Sequence, residues 1–136
     1  DLMVVENCKM SIPKIFKTKG EKYFREKERY CLEKLMKEKS SLVISTGGGA
    51  LISNENVALV RENRGFIIYM ELPLEEALKR LGDQNDRPLL KGKAKEDIQK
   101  LYNSRLPLYE SISDYTLSAL PQPKEIIEKL KKALGF

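Results

Sequence analysis

Cysteine is scarce in this chain, and long apolar runs are absent from it. The 136 residues include two cysteines, Cys8 and Cys31, whose spacing matches neither a metal-binding nor a redox motif. Cys31 lies on the apolar side of a helical pattern, so we expect both cysteines to be free thiols in a reducing compartment. No apolar run approaches the roughly 18 residues of a membrane-spanning helix, so we expect no membrane partner.

Aromatic residues are not interleaved with the basic ones, although the chain is basic. Lysine and arginine total 25 against 20 aspartates and glutamates, a net charge of +5. Nucleic-acid-binding proteins are often basic, but a base-stacking platform needs aromatic side chains among the cations. Most lysines instead alternate with glutamates, as in residues 21–39, which is typical of a solvated helix face. We therefore expect no nucleic-acid partner and assign the excess charge to arginines that bind a small anion.

A Walker A phosphate-binding loop is also missing. That motif ends in Gly-Lys-Ser/Thr, whereas Gly92-Lys93 is followed by Ala94 and has Arg87 where the motif requires glycine. The chain as written therefore contains no P-loop.

Helical patterns alternate with apolar runs along the chain. The runs predict strands at 41–45, 65–72 and 115–119, and the order predicts an α/β fold with a parallel sheet and right-handed crossovers. Residues 82–94 show little periodicity and predict a mobile loop. The predicted helices cover residues 1–9, 10–20, 21–39, 53–63, 73–81, 95–112 and 124–134.

Three residue types predict where the helices are bounded or broken. Ser11 is placed to cap a helix, Pro13 suits its first turn, and Gly20 is expected to end it. Pro107 is expected to interrupt the helix at 95–112 because proline lacks an N–H donor.

Three successive glycines, Gly47, Gly48 and Gly49, follow the apolar run 41–44. Each costs roughly 1 kcal/mol of backbone entropy relative to alanine in ordered structure. Ligands of parallel sheets bind beyond the carboxyl ends of the strands, and a main chain without β-carbons lets a ligand approach its N–H groups. An ordinary tight turn is the alternative, but such a turn normally needs one glycine. The triplet therefore favours a ligand site.

Three arginines stand beside apolar residues. Arg25 follows Phe24, Arg87 opens Arg-Pro-Leu-Leu, and Arg105 precedes Leu-Pro-Leu-Tyr. Each alone is typical of a surface cation. A guanidinium beside apolar groups is nevertheless well suited to hold a carboxylate or phosphate in a bidentate pair. With the glycine triplet, the three arginines indicate an anion-binding site.

These motifs together resemble the shikimate kinases. The resemblance covers essentially the whole chain, in the family's order and with similar spacing. It implies a P-loop kinase-like, three-layer α/β/α fold with strand order 2-3-1-4-5 and a mobile lid at 82–94 in a single domain, 1–136. It also implies transfer of the γ-phosphoryl group of ATP to the 3-hydroxyl of shikimate, with Mg²⁺, in aromatic amino-acid biosynthesis. The matching motifs are "MSIPKIF" and "GEKYFRE" within 10–28, "VISTGGGA" (43–50), "RPLL" (87–90) and "NSRLPLYE" (103–110).

The resemblance places the shikimate site in the substrate-binding helices, 10–39, and in residues around them. Asp1 matches the family aspartate that binds shikimate hydroxyls and can accept the proton of the attacking one. Arg25 and Arg105 match the arginines that hold the shikimate carboxylate. Glu28 matches an acidic residue that braces Arg25; an ordinary helix pair is the alternative.

The glycine triplet and two aromatic residues complete that side of the site. By resemblance, the backbone amides of Gly47, Gly48 and Gly49 face the substrate. Phe16 and Phe24 would wall the pocket, and both also suit a hydrophobic core.

The nucleotide side of the site is implied by five further residues. Arg87 matches a lid arginine that closes over the phosphates and acts in catalysis. Arg80 matches a position that stacks on adenine, with a helix-end cation as the alternative. The adenine loop departs from the family pattern, and main chain around Pro121 and Gln122 is expected to serve there. Ser45 matches a residue that contacts the water shell of Mg²⁺.

By resemblance, the first strand, the P-loop with its helix and most of the second strand precede Asp1. We therefore expect the protein to be longer than this chain, and a chain without the P-loop to be inactive. An inactive shikimate-kinase-like binding module is one alternative. Another small-molecule P-loop kinase, such as a gluconate kinase, is a second, which the pair Arg25 and Arg105 disfavours. We expect a monomer in the cytoplasm, or in the plastid of a plant.

Overall fold

The computed structural model describes residues 1–38, 40–81 and 94–135, which fall into two compact units. The described part of the first unit lies within residues 1–65, and that of the second comprises 66–81 and 94–135. The lid predicted at 82–94 lies outside the described residues except for Ala94, and so does Arg87.

The first unit is helical as far as it is described. Helices α1 (Leu2–Cys8) and α2 (Ile12–Met36) come first, followed by a short 3-10 helix (Ala50–Ile52) and helix α3 (Asn54–Glu62). Residues 10–20 and 21–39, predicted as two helices, are largely merged into α2.

Gly20 breaks the helical conformation inside α2, at the boundary that the sequence predicts between its two helices. Its φ of 83° lies in the left-handed region, which glycine adopts without steric cost. Ser11 occupies the N-cap position and Pro13 the first turn, as predicted. The Ser11 side chain makes no capping hydrogen bond, so the predicted side-chain cap is wrong.

The core of the first unit lies between α1 and α2. Its buried members are Val4, Ile15, Phe24 and Cys31, and Ile15 is completely buried. Burial raises the pKa of the Cys31 thiol above its ordinary value, and the neighbouring Cys8 adds to the shift. Both cysteines are free thiols, as the sequence predicts.

Residues 41–47 form neither helix nor strand, so the predicted strand at 41–45 is wrong. A strand requires a hydrogen-bonded neighbour, and in the described part of the chain none pairs with this segment. Leu42 and Val43 are accordingly 44% and 103% exposed despite being apolar.

The second unit contains a parallel pair of strands and three helices. Its elements are β1 (Ile68–Glu71), α4 (Leu74–Leu81), α5 (Lys95–Ile112), β2 (Tyr115–Ser118) and α6 (Pro123–Leu134). Ile68 pairs with Tyr115, and Glu71 with Ser118. The pairing is parallel, as the alternation of helices and strands in the sequence predicts. Helix α5 continues through Pro107, so the predicted interruption is wrong.

Tyrosines join α5 to β1. The Tyr102 hydroxyl donates a hydrogen bond to the Leu72 carbonyl at 3.0 Å, just beyond β1. The Tyr69 and Tyr109 rings lie 5.3 Å apart. Burial, followed by the neighbouring Tyr102, raises the pKa of Tyr69 to about 12. Tyr69 is therefore a neutral packing residue at physiological pH.

Candidate substrate site

The guanidinium of Arg25 is the centre of the candidate site in the first unit. Arg25 directly follows Phe24, whose ring is buried in the core and lies 5.2 Å from the Arg25 guanidinium carbon. The Phe16 ring lies 5.0 Å from that of Phe24. The buried Phe24 therefore fixes this part of the helix, and the Arg25 guanidinium makes a cation–π contact with its ring.

Two glutamates on the same helix hold the Arg25 guanidinium. Its Nη1 donates to Glu28 Oε2 at 2.7 Å, and its Nη2 and Nε donate to Glu21 Oε1 at 3.2 and 3.4 Å. The Glu28 side chain is 10% exposed and that of Glu21 is 49% exposed. Because the Glu28 pair is shorter and shielded from water, Glu28 is the firmer partner.

Arg25 keeps two donors for a ligand. A guanidinium has five N–H groups, and the bonds to Glu21 and Glu28 engage three of them. One N–H remains on each terminal nitrogen, and charged N–H donors of this kind form strong hydrogen bonds with a carboxylate. The side chain is thus braced and still able to bind an organic acid.

The turn that follows residues 41–46 lies directly against these charged groups. A β-carbon at Gly49 would overlap the Arg25 guanidinium. A β-carbon at Gly47 would lie 3.2 Å from Asp1 Oδ1 and 3.5 Å from Glu28 Oε1. These close approaches explain why the turn needs more than one glycine.

Asp1 brings a second carboxylate to the same place. It occupies the N-cap position of α1, and its carbonyl accepts the Val5 N–H at 3.1 Å. With Glu28, Ser45, Gly47 and apolar side chains, Asp1 lines a cavity of about 550 Å³. Five residues that the sequence nominated thus line this cavity, namely Asp1, Glu28, Ser45, Gly47 and Gly48. Arg25 and Gly49 lie beside them, through the Arg25–Glu28 ion pair and the close approach of Gly49 to the guanidinium.

Arg105 lies in the second unit, on α5. It is half-buried, and in the ranges that the structure describes it has no hydrogen bond or ion pair. Its donors are accordingly not committed to any described protein group, which suits a residue that binds an anionic ligand.

Candidates for the nucleotide side lie in the second unit as well. Arg80 Nε donates to Glu76 Oε1 at 3.0 Å, and its Nη1 donates to the Ala119 carbonyl at 3.0 Å. Gln122 is the exposed N-cap residue of α6, and Pro121 precedes it. Arg80 thus joins α4 to the segment after β2, a contact that the sequence did not predict.

The described residues do not fit a bound Mg²⁺ by themselves. Over residues 1–38, 40–81 and 94–135, no three acidic, histidine or cysteine side chains form a possible metal site. Ser45 is exposed, and its hydroxyl is a weak candidate even through water.

Asn56 is a site residue that sequence reasoning missed. It is 4% exposed, and its Nδ2 donates to the Ala50 carbonyl at 2.7 Å, directly after the glycine triplet. Asn56 and Val60 are four residues apart on α3 and are both buried. Because residues four apart lie on the same face of a helix, this spacing places a polar amide on the apolar face of α3. A polar residue in that position is the sequence pattern that indicates a buried hydrogen bond.

The parallel strand pair, together with an arginine braced against a glycine turn, defines an α/β protein with a candidate site for a small anion. Residues 1–135 match the family model described as shikimate kinase. The chain belongs to the shikimate kinase family, whose members are phosphotransferases, as the resemblance implied.

Curated relatives are similar to nearly the whole chain. A shikimate kinase of Caldicellulosiruptor bescii is 41% identical over 131 residues, which are 96% of this chain and 75% of the relative. One from Clostridium botulinum strain Okra is 44% identical over 112 residues, which are 81% of this chain and 65% of the relative. The chain thus spans about two thirds to three quarters of the length of these relatives.

Solved structures of the family share the fold. Shikimate kinase from Acinetobacter baumannii, in complex with shikimate, has a TM-score of 0.87 at 28% identity and covers 99% of this chain and 76% of its own. That from Aquifex aeolicus has a TM-score of 0.84 at 32% identity, covering 99% of this chain and 78% of its own. The predicted P-loop kinase-like α/β class is confirmed.

Proposed function

We propose that this protein is an ATP-dependent shikimate kinase that phosphorylates the 3-hydroxyl of shikimate. The observation that carries the proposal is the Arg25 guanidinium, which is braced by Glu28 and pressed against Gly49 with two N–H donors left. Shikimate has a carboxylate to pair with those donors and ring hydroxyls for the nearby Asp1 carboxylate. A carboxylated, hydroxylated ring therefore matches both charges of the site.

The residues of the first unit have distinct roles in this proposal. Arg25 binds the substrate carboxylate, and Glu28 keeps the guanidinium from rotating away. The Asp1 carboxylate accepts a hydrogen bond from the attacking hydroxyl and then its proton, which orients the nucleophile and raises its reactivity. The main chain of Gly47 and Gly49 permits close approach of the ring, and Gly48 is proposed to share this role.

The residues of the second unit are proposed on charge and on family resemblance. Arg105 is a further carboxylate-binding residue, since its half-buried guanidinium has no described protein partner. Arg80, Pro121 and Gln122 contact the nucleotide. Arg87, outside the described residues, is proposed to neutralise charge on the transferred phosphoryl group.

ATP is the proposed phosphoryl donor and Mg²⁺ the accompanying ion. Bound Mg²⁺ would neutralise phosphate charge. The described residues do not form a metal site, so the roles proposed for Arg25, Glu28 and Asp1 depend neither on the ion nor on Ser45.

The protein is further proposed to work as a monomer in the cytoplasm on free shikimate. Two free thiols are consistent with a reducing compartment. Among the described helices, none has both the length and the apolar character to cross a bilayer.

The direct test is a reaction of the full-length protein with ATP, Mg²⁺ and shikimate, followed by phosphorus NMR of the product. We expect ADP and shikimate 3-phosphate in equal amounts, no turnover with gluconate, and loss of turnover when EDTA removes the metal. Shikimate binding without ADP release would instead indicate an inactive binding module. Turnover of gluconate but not of shikimate would indicate a different small-molecule kinase. Either outcome contradicts the proposal.

Replacing Arg105 with alanine is expected to raise the KM for shikimate on the order of 30-fold, the loss of a charge-assisted hydrogen-bond pair. The KM for ATP should not change. Lys100→Ala is the matched control, because Lys100 is a cation on the same helix with only a surface ion pair, 3.8 Å from Asp97. An Arg105→Ala enzyme with the wild-type KM for shikimate would exclude Arg105 from the substrate site.

A further inference from the structure

Main-chain hydrogen bonds lie within the glycine turn itself. Within it, the Ala50 N–H donates to the Gly47 carbonyl at 3.1 Å, and the Ile52 N–H donates to the Gly49 carbonyl at 3.4 Å. Glycines have no side chain with which to hold a turn in place and sample more backbone conformations than other residues. A contact from outside the turn can add a further anchor that holds it against Arg25.

Asn56 supplies that anchor from α3. Its Nδ2 donates to the Ala50 carbonyl at 2.7 Å, and both residues are 4% exposed. A buried hydrogen bond between a side chain and the main chain is costly to break, because the carbonyl would be left without a partner or water. The bond thus joins the end of the turn to a helix.

Helix α3 is joined in turn to the helix that carries Arg25. Arg29 of α2 forms an ion pair with Glu55, the residue before Asn56. The Arg29–Glu55 pair thus connects α2 to α3, and the Asn56 bond connects α3 to Ala50 at the end of the turn. Gly49, in the same turn, lies directly against the Arg25 guanidinium of α2. Of these contacts, the Asn56 bond is the one that joins the turn to α3.

We propose that Asn56 is a positioning residue of the substrate site, which holds the Gly47–Gly49 turn in register with the Arg25 guanidinium. It acts through the main chain of Ala50 and does not itself contact the substrate. The inference rests on the proposed function, because its readout is the affinity for shikimate.

The test measures the Kd and the KM for shikimate and the KM for ATP in the full-length enzyme with Asn56→Ala. We expect the Kd and the KM for shikimate to rise about tenfold, as for a lost buried hydrogen bond, while the KM for ATP stays within twofold. A merely structural role predicts a different pattern. Partial unfolding reduces the active fraction and lowers the apparent kcat, but the molecules that remain folded keep the KM.

Asn56→Asp is the second variant, since alanine leaves a cavity that endangers folding. Aspartate keeps the shape of the side chain but turns a carboxylate oxygen toward the Ala50 carbonyl oxygen. We expect an increase in the KM for shikimate at least as large as with alanine, at neutral pH. Unchanged shikimate KM in a folded Asn56→Asp enzyme overturns the inference.

Two controls separate the turn from the rest of α3. Asn63→Ala removes a bond of the same kind, from Nδ2 to the Leu59 carbonyl at 2.8 Å, at the exposed end of the helix. Val60→Ala removes buried packing from α3 one helical turn away from Asn56 and leaves the Asn56–Ala50 hydrogen bond in place. Both should keep the wild-type KM for shikimate, and Val60→Ala should lower the Tm. An equal rise in shikimate KM in Val60→Ala would assign the Asn56 effect to general loosening and overturn the inference.

The failures are distinguishable. A wild-type protein that does not bind shikimate overturns the proposed function and with it this inference. If the wild type binds shikimate and the Asn56 variants bind it with the same affinity, the inference alone is overturned.

Discussion

Replacing Gly49 with alanine is expected to weaken shikimate binding on the order of 30-fold, about 2 kcal/mol, a typical cost of overpacking. The added methyl group would occupy the space of the Arg25 guanidinium. Either the turn or the guanidinium must then move, and both displacements change the position of the turn relative to the Arg25 N–H donors that we propose bind shikimate. Isothermal titration of the full-length protein with shikimate measures the effect.

The matched control is Gly65→Ala in the same unit. A β-carbon at Gly65 would lie 2.9 Å from the Val60 carbonyl oxygen, so this variant is also overpacked, but away from Arg25. We expect it to lower the Tm and to bind shikimate like the wild type. Comparable losses of affinity in both variants would show that overpacking acts through stability, and the Gly49 prediction would be wrong.

Replacing Arg25 with alanine is expected to weaken shikimate binding about 100-fold, or nearly 3 kcal/mol, as for a bidentate charged hydrogen-bond pair. The reason is that no other described group of the first unit offers paired donors beside the glycine turn. Arg25→Lys should restore little of the affinity, because an ammonium cannot make the planar two-bond contact. Shikimate titrations of the two variants measure both effects.

Removing Arg25 also leaves Glu28 as a shielded carboxylate without its cation, which destabilises the fold. The double variant Arg25→Ala/Glu28→Gln removes that charge, so we expect it to recover most of the Tm but none of the shikimate affinity. Lys27→Ala is the control on α2, since Lys27 is a cation two residues from Arg25 that lies over the Tyr23 and Tyr30 rings at 5.4 and 5.8 Å. Recovery of binding in the double variant would contradict a direct role for Arg25.

Local pattern was sufficient for most helices and for the strand pair. Helix 95–112 was predicted with the bounds that α5 has, and 115–119 differs from β2 by one residue. These elements follow from periodicity, capping residues and breakers, which act between near neighbours in sequence. The kink at Gly20 also follows from the residue itself, because glycine is the residue for which a φ of 83° carries no steric cost.

The amino-acid sequence by itself thus determined most helices and the α/β class, and it nominated the residues of a candidate anion site. Tertiary structure decided what those residues touch. Residues 41–45 have strand-like composition, yet a strand exists only with a hydrogen-bonded neighbour, which the described chain does not provide. Arg25 needs Gly49 and the turn needs Asn56 because groups far apart in sequence meet there. Contacts of that kind leave no local periodicity, so only the folded chain reveals them.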